Sequence, residues 1–332
     1  MTLFNVINRT DSYYKNVGNV KDGIDNELTI SHVLKSENSF TKERKSFGII
    51  IAEELDLPEK PRILEIGPGL GHIAADICNS LTNYHYTFLD ISRDFINNLR
   101  KKFKGGKYSF IVGDFLKEKI NEKFDLIVCN EVLADFPTIV NMSVEDHHVD
   151  KDDEDIYYDA VSLVKFYNIK IPENYHFNYG AVKFIEKAKE LLKDNGKIFV
   201  SEHSSKTPKL IRVYGHSEFT IDFEVLKKVA EKNNLMIKRN STITELMGIN
   251  DNKAVLFYTQ PELKVLYNFF KVKGITLEQK AYRAEEVIKL LKDHGVQFFG
   301  IDNYQKFLER HEKPLKKITD QFRYMILQTK YD

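Results

Sequence analysis

Cysteine is scarce in this chain: Cys78 and Cys129 are the only two among 332 residues. Two thiols cannot build a disulfide framework or a four-cysteine zinc site, and they suit a reducing compartment. An excess of charge is also missing. Lysine plus arginine and aspartate plus glutamate each number 49, so no broad basic face for nucleic acid is expected. No apolar run approaches the roughly 20 residues that cross a bilayer. The first 14 residues hold no basic patch followed by an apolar stretch, the mark of a secretory leader. The expectation is a cytoplasmic protein with no membrane and no nucleic-acid partner. Internal repeats and Gly/Ser/Pro-rich linkers are absent as well. What is present is a globular composition, 42% apolar and 30% charged, in a chain long enough to bury a sizeable core.

Residues 1–58 are polar and mixed, and read as an N-terminal helical segment ahead of a domain over 59–332. Within the segment, Phe47, Ile50, Ile51 and Leu55 recur at helical spacing, which predicts a helix over Thr41–Leu55. Pro58 and Pro61 then punctuate the chain. Beyond them strands and helices alternate. Strands are expected at 62–66, 86–90, 108–112, 124–129 and 197–200, and helices at 73–81, 94–103 and 179–192, the last closed by Asn195-Gly196. Late strands are expected at 235–239 and 322–328. This alternation implies a parallel sheet covered on both faces. Two insertions interrupt it, at about 138–178 and 244–319. The first opens on a strongly acidic stretch, 144–155, and contains His147-His148. Adjacent histidines without a third ligand at a diagnostic spacing make a poor metal site, so no metal is expected. The second insertion reads as mostly helical. Loops of this length are usually functional, and both are expected to shape a site.

Gly67-Pro68-Gly69-Leu70-Gly71 sits between a predicted strand and a predicted helix. Glycines there allow positive φ and close approach of the backbone to a ligand. Asp90 ends the next strand, where an acid can accept hydrogen bonds from ribose hydroxyls. A phosphate-gripping loop of the G-x-x-x-x-G-K-[ST] type is absent, and Glu65 would repel a pyrophosphate while suiting a cation. A ribose-bearing, cationic, phosphate-free ligand fits: S-adenosylmethionine. Ile91 follows Asp90, and Gly113-Asp114-Phe115 ends the third strand, where Asp114 could accept from an exocyclic amine and Phe115 could stack.

Together these residues resemble a class I methyltransferase. They resemble in particular the mitochondrial complex I assembly-factor methyltransferases and their bacterial relatives, the MidA-like family. Ser39-Phe40-Thr41-Lys42-Glu43 with Phe47-Gly48 is similar to that family's entry segment, and Leu64 to Gly71 to its first motif. Cys129 to Pro137 resembles its asparagine-glutamate motif. Ile221-Asp222-Phe223, with Leu226 and Ala230, resembles a late helix start, and Phe322 to Gln328 a closing strand. The resemblance implies a Rossmann-like α/β sheet, mostly parallel with an antiparallel last strand, with residues 1–58 covering the cofactor site. It also implies methylation of an arginine side chain in a partner protein or peptide. The ends of the strands carry Asn130 and Glu131. Carboxylates pair bidentately with a guanidinium, so Glu131, with Asp135 second, is expected to clamp the acceptor. His203, after the fifth strand, could serve as a base. A small-molecule or peptide natural-product N- or O-methyltransferase, with the insertions as a lid, is the alternative. A cofactor-binding assembly factor without turnover is another.

Overall fold

The computed structural model describes residues 7–15, 29–34, 40–143, 154–213, 216–250, 254–257, 260–272, 274, 280–296 and 300–330. Ser39, most of the acidic stretch and His147-His148 lie outside the described residues. A seven-stranded sheet forms the centre: β1 Arg62–Ile66, β2 His85–Asp90, β3 Tyr108–Val112, β4 Phe124–Asn130, β5 Leu192–His203, β6 Leu235–Thr242 and β7 Phe322–Thr329. Their order across the sheet is 6-7-5-4-1-2-3. Neighbours from β5 to β3 pair in parallel, and β7 runs antiparallel to both β5 and β6. This is the class I methyltransferase fold.

The strands are continuous apolar runs because both faces are covered. Successive side chains point to opposite faces. In β4, Ile127 and Cys129 join one core cluster while Leu126 and Val128 join the other. Helices His72–Ser80 (α1) and Arg93–Lys102 (α2) cover one face, and Tyr179–Glu190 (α3) and Phe223–Lys232 (α4) the other. Ser92 caps α2 by accepting the Phe95 N–H at 3.4 Å, and Asp222 caps α4 from Glu224 at 3.0 Å.

Some boundaries differ from the sequence reading. The helix expected from Thr41 begins at Phe47, because Glu43 and Arg44 sit at φ 60° and 58° and break the earlier turn. Phe47, Ile50, Ile51 and Leu55 are all buried, as their spacing demanded. Asn195-Gly196 does not cap α3, which ends at Glu190. Asn195, at φ 60°, instead lies in an irregular start of β5, where the register against β4 shifts.

Residues 244–319 are helical for the most part but also build a three-stranded antiparallel sheet from 254–257, 281–282 and 313–314. Leu256, Phe270, Ile288 and Leu308 belong to a core of their own there. At the other end of the chain, Ile7–Asn8 pairs antiparallel with Thr138–Ile139, which anchors the N-terminal residues beside the end of β4.

Candidate active site

Strand order turns back between β1 and β4, so the loops leaving these two neighbours diverge and open a crevice at their carboxyl ends. The crevice is a cavity of about 690 Å³, within the size range of small-molecule sites. Glu65, Gly67, Gly69, Asp90, Ile91, Asp114, Phe115, Asn130, Glu131 and Asp135 all line it. Gly71 and His203 do not.

The three glycines differ in what they permit. Gly67 has φ 60°, and a Cβ there would lie 2.4 Å from Val132 Cγ2. Gly69 has φ 52° with nothing within 4 Å of its missing Cβ, so its backbone is open to an approaching ligand. Gly71 has φ 69°, and its missing Cβ would meet Leu99 at 2.6 Å and Phe103 at 2.8 Å. Gly71 therefore lets the loop pack on α2 and serves the cavity only through the loop's shape. Behind the loop, Lys102 Nζ donates to the Leu70 and Gly71 carbonyls at 3.1 and 3.2 Å.

Two buried acids face the cavity. Asp90 accepts from the Ser92 N–H at 2.8 Å and from the Gly69 backbone. Burial nevertheless pushes its carboxyl up to about 7. Glu65 accepts the Tyr86 hydroxyl at 2.9 Å, and burial pushes it up to about 8. Such a carboxyl gains when a cation meets it. Asp114 accepts the Leu116 N–H at 2.9 Å and lies 3.3 Å from Lys117 Nζ. Phe115 is a wall rather than a stacking face. Its ring packs beside Phe136 and Phe184, with Lys187 Nζ 5.3 Å from its centroid.

The end of β4 is arranged differently from the expected clamp. Asn130 accepts the Ser201 hydroxyl at 2.5 Å and donates to Glu131 at 3.2 Å. Glu131 stands at φ 52°, and its two carboxylate oxygens take the Ile30 N–H at 2.8 and 3.1 Å. It thus ties the N-terminal segment to the cavity rim. Asp135 is held by Thr10, whose hydroxyl lies 3.0 Å from both its carbonyl and its Oδ1. Glu202 supports this turn by accepting the Ala134 N–H at 3.2 Å, and burial holds its carboxyl well above the usual range. His203 packs on Phe322, and its Nε2 lies 3.0 Å from Gln321 Oε1. His203 pairs with Phe322 of β7 at the end of β5 and is not among the residues that line the cavity.

Several lining residues carried no sequence signal. Arg9, Thr10, Asp11, Tyr14 and Thr29 come from the N-terminal segment, and Lys183 and Glu186 from α3. Tyr179, the first residue of α3, reaches the cavity, whereas Tyr157, Tyr167, Tyr175 and Phe177 of the first insertion are core and Tyr158 and Phe166 are exposed. Among the described residues, the 244–319 insertion contributes nothing to the lining.

Sheet order and cavity together define the class I methyltransferase fold with a cavity at the carboxyl ends of its strands. Comparison with known proteins adds detail. Residues 64–143 match the family model described as a methyltransferase domain. Over 97 residues the chain is 40% identical to malonyl-[acyl-carrier protein] O-methyltransferase 2 of Ilyobacter polytropus, covering 29% of this chain and 36% of that protein. Over 106 residues it is 26% identical to the corresponding enzyme of Acetivibrio thermocellus, covering 31% and 38%. The chain thus spans little more than a third of the length of the curated relatives it matches. Among solved structures, the [4+2]-cyclase SpnF superposes with a TM-score of 0.50 at 9% identity over 99% of both chains. A methyltransferase of Clostridium acetobutylicum superposes at 0.43 with 11% identity, over 86% of this chain and 91% of that one. The matched relatives are named for a carrier-protein substrate, not for the arginine side chain that the MidA-like resemblance implied.

Proposed function

We propose that this protein is an S-adenosylmethionine-dependent methyltransferase whose acceptor is a small or carrier-borne molecule. One observation carries the reading: Glu65, Gly67, Gly69, Asp90, Asp114 and Asn130 line a single cavity at the strand ends. These residues suit the cofactor. Asp90 would accept from ribose hydroxyls, Asp114 from an adenine amine, and the raised carboxyl of Glu65 would meet a positive group. The bare backbone at Gly69 leaves room for close approach. Bound S-adenosylmethionine supplies an electrophilic methyl group on sulfonium. The chain's own task is to bind the acceptor in line and to exclude water, which is worth up to ~7–11 kcal/mol in well-oriented systems.

A small or carrier-borne acceptor is favoured over an arginine side chain by what surrounds the rim. Both carboxylate oxygens of Glu131 already take the Ile30 N–H, so the carboxylate first assigned to a guanidinium is engaged within the protein. Arg9, Tyr14 and Thr29 of the N-terminal segment also line the cavity. The relatives' names support an oxygen nucleophile. A second reading is cofactor binding without methyl transfer, since one fold hosts many chemistries.

Calorimetric titration with S-adenosylmethionine and S-adenosylhomocysteine tests the cofactor. Micromolar binding that Asp90→Ala abolishes is the expected result, and no binding by folded wild type defeats the proposal. Labelled methyl groups should then appear in small-molecule or carrier-protein fractions. Label confined to protein arginine would overturn the acceptor assignment. Cofactor bound but never consumed would favour the second reading.

A further inference from the structure

Beside the N-terminal wall of the cavity, three metal-competent side chains converge from two distant stretches. Asp135 comes from the turn after β4, and His216 and Glu218 from the strand His216–Phe219 of a short hairpin. Their candidate ligand atoms all lie within 4.8 Å of one another. His216 Nε2 is 2.5 Å from Glu218 Oε1, 3.9 Å from Asp135 Oδ1 and 3.3 Å from the Tyr14 hydroxyl. Three oxygens therefore surround one ring nitrogen, which has a single lone pair or a single hydrogen to offer. The side chains are also withdrawn from water, at 5% exposure for His216, 18% for Asp135 and 17% for Glu218. Two carboxylates and a buried imidazole held this close favour a bound positive charge.

The surroundings fix this arrangement. The Tyr13 ring stacks on His216 at 4.4 Å. Thr10 holds Asp135, and Asn8 Nδ2 donates to the Ser217 carbonyl at 2.9 Å between the two candidate ligands of the hairpin. We propose that Asp135, His216 and Glu218, with the Tyr14 hydroxyl beside them, bind a divalent transition-metal ion of the manganese, iron or zinc type. One imidazole with two carboxylates is a donor set suited to these ions. Asp135 and Tyr14 line the cavity, so the ion would meet an oxygen of the acceptor from the protein side. That role rests on the methyltransferase reading; the site itself does not.

The test uses the full chain, stripped with chelator and desalted. It is titrated with MnCl₂, following the signal of free aqueous Mn²⁺ by electron paramagnetic resonance, and with ZnCl₂ by calorimetry. A single saturable site is expected. His216→Gln should weaken it by at least about tenfold, and Asp90→Ala should leave it unchanged. Because His216 is buried, the isosteric Glu218→Gln variant, checked by its thermal melt, carries the same expectation. Wild type that binds neither ion at up to about 1 mM overturns the proposal. So does equal affinity in well-folded Glu218→Gln. S-adenosylmethionine titrated into the same samples reads the cofactor site separately, so either assignment can fail without the other.

Discussion

At the scale of single residues, the two buried acids set the pH behaviour of the ligand-free protein. Burial pushes Asp90 up to about 7 and Glu65 up to about 8, whereas in the unfolded chain both titrate near pH 4. From about pH 4 to pH 8 the native state holds protons that the unfolded chain has lost. Stability therefore falls as pH rises through that window. Asp90→Asn removes one of these groups. Without ligand, the variant should melt several degrees above wild type at pH 8 and close to it at pH 4 in scanning calorimetry; a difference independent of pH would refute the burial assignment. Cofactor affinity should move the other way. An ionised Asp90 is the better acceptor for ribose hydroxyls, so wild-type dissociation constants should fall as pH rises towards 7. The glycines separate two effects. Gly67→Ala meets both a positive φ and a 2.4 Å contact with Val132, and should cost about 1–3 kcal/mol in urea unfolding. Gly69→Ala meets no neighbour and should cost less stability while weakening cofactor binding.

At the scale of elements, Glu131 shows how a motif can be legible in position while its partner is not. Its place after β4 follows from the apolar run Phe124–Asn130. Its partner does not, because Ile30 lies 101 residues away. At φ 52° its carboxylate receives the Ile30 N–H, which ties the N-terminal segment to the cavity rim. Glu131→Ala should speed hydrogen exchange at the Ile30 amide by tenfold or more, following from the loss of about 1.4 kcal/mol or more of local closing energy. Unchanged exchange would show that the segment is held by other contacts. His203 illustrates the opposite limit. The sequence places it at a strand end, but pairing of β5 with β7 past that end decides what the side chain touches.

At the scale of the whole molecule, residues 244–319 divide between two cores, with Met247, Val255 and Leu315 packed in that of the central sheet. Their other core surrounds Phe270 and Leu308, and among the described residues none lines the cavity. Phe270→Ala should destabilise this region by about 3–5 kcal/mol, detected by denaturant unfolding, while S-adenosylmethionine affinity stays within about twofold. A large loss of affinity would mean that the insertion supports the site indirectly. The sequence by itself determined the seven strands of the central sheet, the glycine loop and the acids at positions 65 and 90. Each is written locally, in apolar runs, in residues that permit positive φ and in fixed offsets from a strand end. Only tertiary structure decided that Arg9, Thr10 and Tyr14 wall the cavity, that Glu131 faces Ile30, and that His216 and Glu218 meet Asp135. Those meetings join residues roughly a hundred positions apart or more in most cases. They depend on the pairing of Ile7–Asn8 with Thr138–Ile139 and on a hairpin seated beside the β4 turn, and long-range pairings of this kind leave no periodicity in the sequence.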